Sequence, residues 1–256
     1  MLVRSWNLFH GNTSPPRPDS YLEEMVRLAS ADRPDVLLLQ EIPVWALPQL
    51  GAWSGMTALA DVARRPRFGP VPIPTSLGRS LTFINPGLLR SAFSGQGNAI
   101  LLGEGLLPVA HEAVVLNPAD FRREESRRLG LDLVARLAWE KERRICQIVR
   151  VEPRLLVANL HATSSPGDPR LPAAELRRVA RLVLERATPE DTVVIGGDFN
   201  VPGDEGAIEG FSPPGPGIDQ VLVRGEQPSP LRAWPDDRRR RGGMLFSDHS
   251  PVELET

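Results

Sequence analysis

Residues 193–200 have the sequence Val-Val-Ile-Gly-Gly-Asp-Phe-Asn, and this stretch indicates the fold of the chain. The apolar, β-branched start is typical of a buried strand, and two glycines precede a carboxylate and a carboxamide. Because side chains alternate along an extended chain, Asp198 and Asn200 should point one way and Phe199 the other. Polar groups at strand ends are where α/β folds place their binding sites. The stretch therefore predicts an α/β protein with a site at Asp198. On its own, it would also fit a plain strand followed by an Asx turn.

Five other segments share this design of an apolar strand with polar groups at or near its end. They are Leu2–Leu8 with Asn7, Val36–Glu41 with Glu41, Leu155–Thr163 with Asn159 and His161, Gly217–Val223 with Asp219, and Ser247–Val252 with Asp248 and His249. We expect side chains from all six segments to meet in one pocket.

This ordered set resembles the endonuclease/exonuclease/phosphatase superfamily, which has a deoxyribonuclease-I-like fold. The matching motifs are Asn7, Leu39-Gln40-Glu41, Asn159-Leu160-His161, Gly197-Asp198-Phe199-Asn200, Ile218-Asp219 and Ser247-Asp248-His249. Each motif alone is weak, but all six occur in the expected order across residues 2–253. The resemblance implies a single domain over residues 1–256. It also implies a four-layer α/β sandwich, in which two mixed β-sheets pack face to face and are flanked by helices.

The resemblance also implies a divalent cation, Mg²⁺ with Mn²⁺ as a possible substitute. Glu41 is the first ligand expected, and Asn7 and Asp248 would complete or border the metal shell. Such a hard ion prefers oxygen ligands, which these residues supply. The sequence has no Cys/His cluster of the kind that holds zinc.

The remaining motif residues are implied to act on a phosphoester. Asp198 would orient or deprotonate the attacking water, and Asn200 would donate a hydrogen bond to a phosphate oxygen or to the nucleophile. His249 would contact the phosphate, with Asp219 as its partner, because a lone acid in an apolar strand needs a hydrogen-bonded counterpart. This pair could serve as a base or as an electrostatic clamp. His161 would lie on the other side of the phosphate, where it could stabilise charge or protonate the leaving group.

Two further features are candidates for substrate binding. Asn98 lies in a segment that resembles one bordering the substrate in the family. Residues 236–243 carry Arg238, Arg239, Arg240 and Arg241 close to His249, so this loop could gather the phosphates of a polyanion. The alternative is a solvated loop. His10 follows Asn7 in a loop that could line the cleft, although it matches no family motif.

The leading prediction is therefore a metal-dependent phosphodiesterase or nuclease acting on DNA or RNA. The first alternative is hydrolysis of a small or lipid phosphoester of the inositol phosphate or sphingomyelin type. The second is a non-catalytic scaffold, which should have lost at least one of Glu41, Asp198, Asn200, Asp248 and His249; all five remain.

Composition limits the remaining possibilities. The net charge of −2 gives no overall basic field for tight nonspecific binding of DNA. Cys146 is the only cysteine, which excludes an intrachain disulfide and predicts a buried, inert thiol. No apolar stretch approaches membrane-spanning length, and no signal-like segment precedes the first strand. These features predict a cytoplasmic monomer that does not insert into membranes.

Periodicity predicts three helices and one hairpin. The helices are from a cap at Asp19-Ser20 to about Ala31, over 171–187, and an amphipathic segment over 119–142 that could be a surface helix or a lid. The hairpin pairs residues 143–151 with 154–162. Proline-rich stretches at 12–18, 66–74, 164–172 and 212–216 indicate loops within one domain.

Overall fold

The computed structural model describes residues 1–17, 19–68, 71–74, 77, 80, 94–141, 143–165 and 168–256. Parts of three predicted loops (residues 18, 69–70 and 166–167) lie outside the described residues, as does Glu142 at the end of the predicted 119–142 helix.

Most strands belong to two sheets, and the helices alternate with the strands along the sequence. In the described residues the strands are β1 (Leu2–Asn7), β2 (Thr13–Ser14), β3 (Val36–Ile42), β4 (Thr57–Arg64), β5 (Arg67–Phe68), β6 (Val71–Pro72), β7 (Gln96–Leu102), β8 (Pro108–Val115), β9 (Ile145–Val151), β10 (Leu155–His161), β11 (Thr192–Asp198), β12 (Asp219–Arg224), β13 (Arg232–Ala233), β14 (Arg240–Arg241), β15 (Met244–Phe246) and β16 (Val252–Glu255). The α-helices are α1 (Leu22–Ser30), α2 (Leu50–Ser54), α3 (Ala119–Arg128), α4 (Leu133–Lys141) and α5 (Arg170–Leu184). Short 3₁₀ turns cover Phe9–Gly11, Val44–Gln49, Gly203–Gly206 and Asp236–Arg239.

Each of the two main sheets is mixed. The six-stranded sheet has the order β13-β16-β1-β3-β7-β4, and the five-stranded sheet has the order β12-β11-β10-β9-β8. One pair in each sheet is parallel, β1 with β3 and β10 with β11, and the other pairs are antiparallel. The parallel pairs place Asn7 beside Gln40 and His161 beside Asp198. Motif residues that are far apart in the chain therefore end at neighbouring strand termini.

Three apolar clusters define the layers. The first lies between the sheets and combines Val36 and Ile100 with Val157 and Val194. The second packs α1 and α2 on the outer face of the six-stranded sheet, and the third packs α5 on the outer face of the five-stranded sheet. The order helix, sheet, sheet, helix confirms the predicted four-layer sandwich. The assignment of residues 1–256 to one domain stays a prediction.

The predicted elements differ from the observed ones mainly at helix boundaries. Helix α1 starts at Leu22 rather than at an Asp19-Ser20 cap, and the residue before it, Tyr21, makes no side-chain capping bond. Helix α5 and the β9–β10 hairpin occupy the predicted segments. In this part of the fold, the periodicity of the buried face was the reliable signal.

The single amphipathic helix predicted over 119–142 is wrong. The segment forms two helices, α3 and α4, because Gly130 takes a left-handed conformation (φ 61°) that ends the first one. The apolar residues of the segment do not form one buried face, since Leu133 and Leu137 are exposed whereas Leu131 and Trp139 are buried. The indole of Trp139 donates a 2.7 Å hydrogen bond to the buried carboxyl of Glu175 on α5, which anchors α4.

Two further expectations concern burial and membranes. Cys146 is buried in β9, and burial raises the pKa of its thiol, which fits an inert role. None of the helices in the described part of the chain combines the length and apolar character needed to cross a bilayer.

Candidate active site

Two glycines bring Asp198 to the centre of the sandwich. A Cβ on Gly197 would overlap the carbonyl oxygen of Leu160, and its φ of 137° disfavours other residues. A Cβ on Gly196 would meet the side chain of Leu38 in the opposite sheet. The glycines therefore let β11 approach both β10 in its own sheet and β3 in the opposite sheet closely. Asp198, at the end of β11, is 2 % exposed.

Buried amides join the two sheets directly beneath this point. Gln40 donates to Asn159 Oδ1 at 2.8 Å, and Asn159 Nδ2 donates to the carbonyl oxygens of Leu39 (3.0 Å) and Ala99 (2.9 Å). Asn159 is thus a structural link between sheets. The register of β3 shifts between Leu39 and Ile42, so that Gln40 and Glu41 together lie opposite one residue of β7.

This bulge presents Glu41 to the site. Glu41 has a positive φ of 53°, a strained conformation for a residue with a side chain. Its carboxylate lies 3.7 Å (Oε1) from His161 Nε2 and 3.4 Å (Oε2) from His10 Nε2.

A turn at Ser247 delivers Asp248 and His249. Ser247 is buried with φ 61°, and its hydroxyl donates to the backbone carbonyl oxygen of Asn7 at 2.7 Å and accepts from the backbone N–H of His249 at 3.1 Å. The indole of Trp6 donates to the carbonyl oxygen of His249 at 3.0 Å. The last motif is therefore fastened to the end of β1.

These elements bring the sequence-predicted residues together around Asp198. Asn7 Nδ2 donates to Asp198 Oδ2 at 3.0 Å, His161 Nε2 lies 3.5 Å from the same oxygen, and His249 Nε2 lies 3.9 Å from it. The other ring nitrogen of His249, Nδ1, is 2.7 Å from Asp219 Oδ2. One carboxylate oxygen thus faces an amide and two imidazoles.

The surroundings make the carboxyl of Asp198 a much weaker acid than usual. Burial, and then the neighbouring charge of Asp219, raise its pKa to about 7, although His249 and the hydrogen bond from Asn7 oppose the shift. A carboxyl with this pKa can accept a proton near neutral pH.

The surroundings of His249 favour its protonated, cationic form. Burial alone would lower its pKa, but the hydrogen bond and charge of Asp219, with the charges of Asp198 and Asp248, raise it to about 10. The ring is therefore a cation at neutral pH, with Nε2–H facing Asp198.

His161 is held neutral. Burial lowers its pKa well below the usual range, and the charges of Arg144, His249 and His10 lower it further. Arg144 Nη1 lies 3.0 Å from His161 Nδ1, and Gln96 Nε2 lies 2.8 Å from it. Arg144 Nη1 also lies 3.2 Å from Nε2, so the arginine does not choose between the two ring nitrogens. The Gln96 N–H can only donate, which makes Nδ1 an acceptor, and Nε2, which faces the carboxylates of Glu41 and Asp198, carries the proton. His161 therefore presents an N–H to the pocket shared by Glu41 and Asp198.

The donor set fits a hard divalent cation. Glu41, Asp198, Asp219 and Asp248 supply carboxylates, and Asp219 Oδ1 is buried without a hydrogen-bond partner. The raised pKa of Asp198 reflects the same surplus of buried negative charge, which a bound cation would offset.

The most compact group of potential ligands in the described residues differs from the predicted one. Asp198, Asp219 and His249 present ligand atoms within 4.8 Å of one another. Binding of a metal to the His249 ring would require loss of the proton that Asp219 and Asp198 stabilise there. Glu41, with Asn7 and Asp248, remains the predicted ligand set.

Asn200, Asp248 and Asn98 border the centre. Asn200 donates its side-chain amide to the carbonyl oxygen of Ala162 and its backbone N–H to Asp198 Oδ1, each at 3.0 Å. Asp248 is half-exposed, and its Oδ1 is 3.9 Å from His249 Nε2. Asn98 is buried across from the Glu41 bulge, and neither of its side-chain polar atoms has a hydrogen-bond partner among the described residues.

The arginine run is engaged elsewhere. Arg238 pairs with Asp32 and Glu253, and Arg241 with Glu24. Arg239 is buried and donates to the carbonyl oxygens of Phe246 and Ser247. Arg240 is exposed, and it is the member of the run with no ion pair among described residues. Substrate binding by this run stays a prediction, but three of its four members already have structural partners.

Sequence reasoning missed Gln96 and Arg144 and left His10 unassigned. All three touch Glu41 or His161. Arg144 had one available signal, since it precedes the strand that pairs with the His161 strand.

The sequence was next compared with protein-family models. The model described as the Endonuclease/Exonuclease/phosphatase family matches residues 5–249. The chain belongs to this family. The activities in the family's name share hydrolysis of a phosphoester bond, so the match confirms the recognised superfamily and supports a phosphoester hydrolase. A search of curated protein sequences gives no match.

Solved structures agree at the level of fold. An endonuclease/exonuclease/phosphatase from Beutenbergia cavernae is 17% identical with a TM-score of 0.64, and the match covers 100% of this chain and 71% of that one. Truncated TDP2 from Caenorhabditis elegans is 15% identical with a TM-score of 0.62, covering 99% and 95%. A mannosyl-6-phosphatase from Bacteroides thetaiotaomicron is 16% identical with a TM-score of 0.59, covering 100% and 98%. At these identities the likeness establishes the shared fold alone.

Proposed function

We propose that this family member is a Mg²⁺-dependent phosphodiesterase that hydrolyses DNA or RNA, with Mn²⁺ as a possible substitute. The observation that carries the proposal is the convergence on Asp198 of two imidazoles in opposite charge states, with the Glu41 carboxylate beside one of them.

Glu41, Asn7 and Asp248 would hold the cation. When bound, it would act as a Lewis acid that polarises a phosphoryl oxygen. The side-chain carbonyl oxygen of Asn7 accepts from the backbone N–H of Phe9 at 3.0 Å, which leaves a second lone pair for this role.

Asp198 is assigned as the group that orients and deprotonates water. Asn7 and the backbone N–H of Asn200 each hold one of its oxygens, so its direction is fixed. Its pKa of about 7 matches the demand on a general base at neutral pH.

The two histidines are assigned as different kinds of donor. His249 would be the electrostatic clamp: its ring is cationic, Asp219 fixes Nδ1, and Nε2–H would donate to a phosphate oxygen. His161 would be a neutral donor, whose Nε2–H would stabilise charge on the leaving oxygen. With a lowered pKa it lacks the proton of an imidazolium acid.

A second candidate is a lipid phosphoester. Helix α4 exposes Leu133, Val134 and Leu137 by 69%, 75% and 56%, and an apolar face of this kind suits an acyl chain. Nucleic acid, the substrate class that the sequence predicts, remains the leading assignment.

The direct test is release of p-nitrophenol from bis-p-nitrophenyl phosphate with Mg²⁺. We expect turnover that EDTA abolishes, a large loss in Asp198→Asn, and no change in Glu209→Gln, a control at an exposed acid. Plasmid, single-stranded RNA, inositol phosphates and sphingomyelin, assayed in parallel, would then rank substrates. No turnover with Mg²⁺, Mn²⁺ or Ca²⁺ would contradict the proposal and favour the scaffold.

A further inference from the structure

A groove of about 480 Å³ lies between the end of β4 and the connection from α4 to β9. Its lining residues come from two distant chain segments: Val62, Ala63, Arg64, Arg65, Glu140, Lys141 and Arg143. We call it the basic groove. None of the residues predicted from sequence for substrate binding belongs to it.

The charge of the basic groove is unbalanced. Its described lining carries four cations and one acid, and the acid, Glu140, lies 3.7 Å from Arg122. Arg64, Arg65, Lys141 and Arg143 make no ion pair with any described residue. By comparison, Arg4 pairs with Asp32 and Arg150 pairs with Asp191. Clustered cations without acidic partners attract an external anion, and the arginine fork suits phosphate oxygens.

Neighbouring residues connect the basic groove to the catalytic centre. Arg64 lies directly opposite Gln96 in the β4–β7 register, and Gln96 Nε2 is 2.8 Å from His161 Nδ1. On the other wall, Arg143 is followed by Arg144, whose Nη1 is 3.0 Å from the same ring nitrogen. Each wall is therefore one residue away from His161 Nδ1: Arg64 through Gln96, and Arg143 through Arg144.

We propose that the basic groove binds a second phosphate of an oligonucleotide whose scissile phosphate lies between His161 and His249. This inference rests on the proposed function and specifies its substrate class. A single phosphomonoester cannot occupy both places, whereas a nucleic acid strand carries a phosphate on every residue. The groove lies behind His161, the proposed leaving-group donor, so the second phosphate lies on the leaving-group side of the cleaved bond.

The test compares two triple variants with equal loss of charge. The groove variant is Arg64→Ser/Arg65→Ser/Arg143→Ser. The control variant is Arg154→Ser/Arg224→Ser/Arg232→Ser, which removes three exposed arginines outside the groove. Circular dichroism melting first checks that both variants fold.

Hydrolysis of a small and a long substrate is then compared. For bis-p-nitrophenyl phosphate, which is too short to reach the groove, kcat/KM should stay within about twofold of wild type in both variants. For a 12-nucleotide single strand, KM should rise at least about tenfold in the groove variant only, and its dependence on salt should flatten by about 0.7 in log–log slope for each phosphate that the groove no longer binds. Equal KM values for the strand in the groove variant and wild type would overturn the proposal.

A binding measurement distinguishes failure of the groove proposal from failure of the proposed function. Fluorescence anisotropy with the labelled strand is measured in an Asp198→Asn background, with and without the groove substitutions. If the wild type hydrolyses no phosphodiester, the proposed function fails, but weaker binding in the groove variant still supports the groove. If the strand is hydrolysed and binding is unaffected, only the groove proposal fails. Inositol hexakisphosphate serves as competitor, and tighter binding of it than of the strand at equal phosphate concentration would overturn the oligonucleotide assignment.

Discussion

The Asp219→Asn variant isolates the charge that makes His249 a cation. Asparagine keeps an oxygen that can accept from His249 Nδ1 across the 2.7 Å contact, so the ring should stay in place while the negative charge is lost. The pKa of His249 should then fall from about 10 toward its ordinary value of 6.5. For a complete fall, the cationic fraction at pH 8.5 would drop from nearly all of the molecules to about 1%. At pH 6 it would drop by less than about twofold.

Two measurements check this prediction. In metal-free protein, NMR titration of the His249 ring should show the midpoint moving down by more than two pH units. In kinetics with Mg²⁺ and saturating bis-p-nitrophenyl phosphate, the ratio of wild-type to variant kcat should grow from about 1.3 at pH 6 toward about 100 at pH 8.5. A ratio that does not change with pH would refute the assignment of His249 as a cationic clamp and favour a purely structural role for Asp219.

Four other variants test the site and its supports. Asp198→Asn should raise the melting temperature of metal-free protein at pH 8 but not at pH 4. The raised pKa means that the fold is most stable with Asp198 protonated, as it is below the ordinary carboxyl pKa of 3.8. As the pH rises through about 7, the wild type loses up to about 4 kcal/mol of this stability, whereas asparagine has no proton to lose. Glu41→Gln should weaken Mn²⁺ binding more than about tenfold by calorimetry. Gly197→Ala should lower the free energy of unfolding by more than about 3 kcal/mol in urea, whereas Gly55→Ala, at a φ of 71° with open space around it, should lower it by about 1 kcal/mol. Asn159→Leu should cost about 3–5 kcal/mol in the same assay, since two buried backbone carbonyls lose the amide that donates to them and the Gln40 amide loses one of its two acceptors. Losses of equal size in the two glycine variants, or none for Asn159→Leu, would contradict the account of how the sheets meet.

Local patterns in the sequence predicted individual strands and helices well, whereas the four-layer arrangement was implied by the family resemblance. The apolar run before Asp198 and the periodicity of α5 reflect burial, which acts on each residue in place and is visible without a structure. Residues 119–142 were harder, because the buried partner of Trp139 is Glu175 on another helix. A contact of that range leaves no mark on helical periodicity.

The residues of the site also fall into two groups, those that local sequence predicted and those that it did not. Residues at strand ends were predictable, because parallel neighbours must end together, as His161 and Asp198 do. His10 reaches the site through a 3₁₀ turn and has no local signature. Arg144 reaches it from the residue before β9, and its only signal is the pairing of that strand with the His161 strand. The ion pairs of the arginine run were not predictable, because the sequence shows the charges but not the acids that meet them, such as Asp32 for Arg238.

The central claim is that side chains from distant segments hold one divalent cation beside Asp198. Crystals soaked in Mn²⁺ and measured at the manganese edge test it most directly. The account predicts one anomalous peak bound by the Glu41 carboxylate, with Asp198 facing it and His249 still bonded to Asp219. A peak bound instead by the His249 ring, or no peak near Glu41 at saturating Mn²⁺, would contradict it.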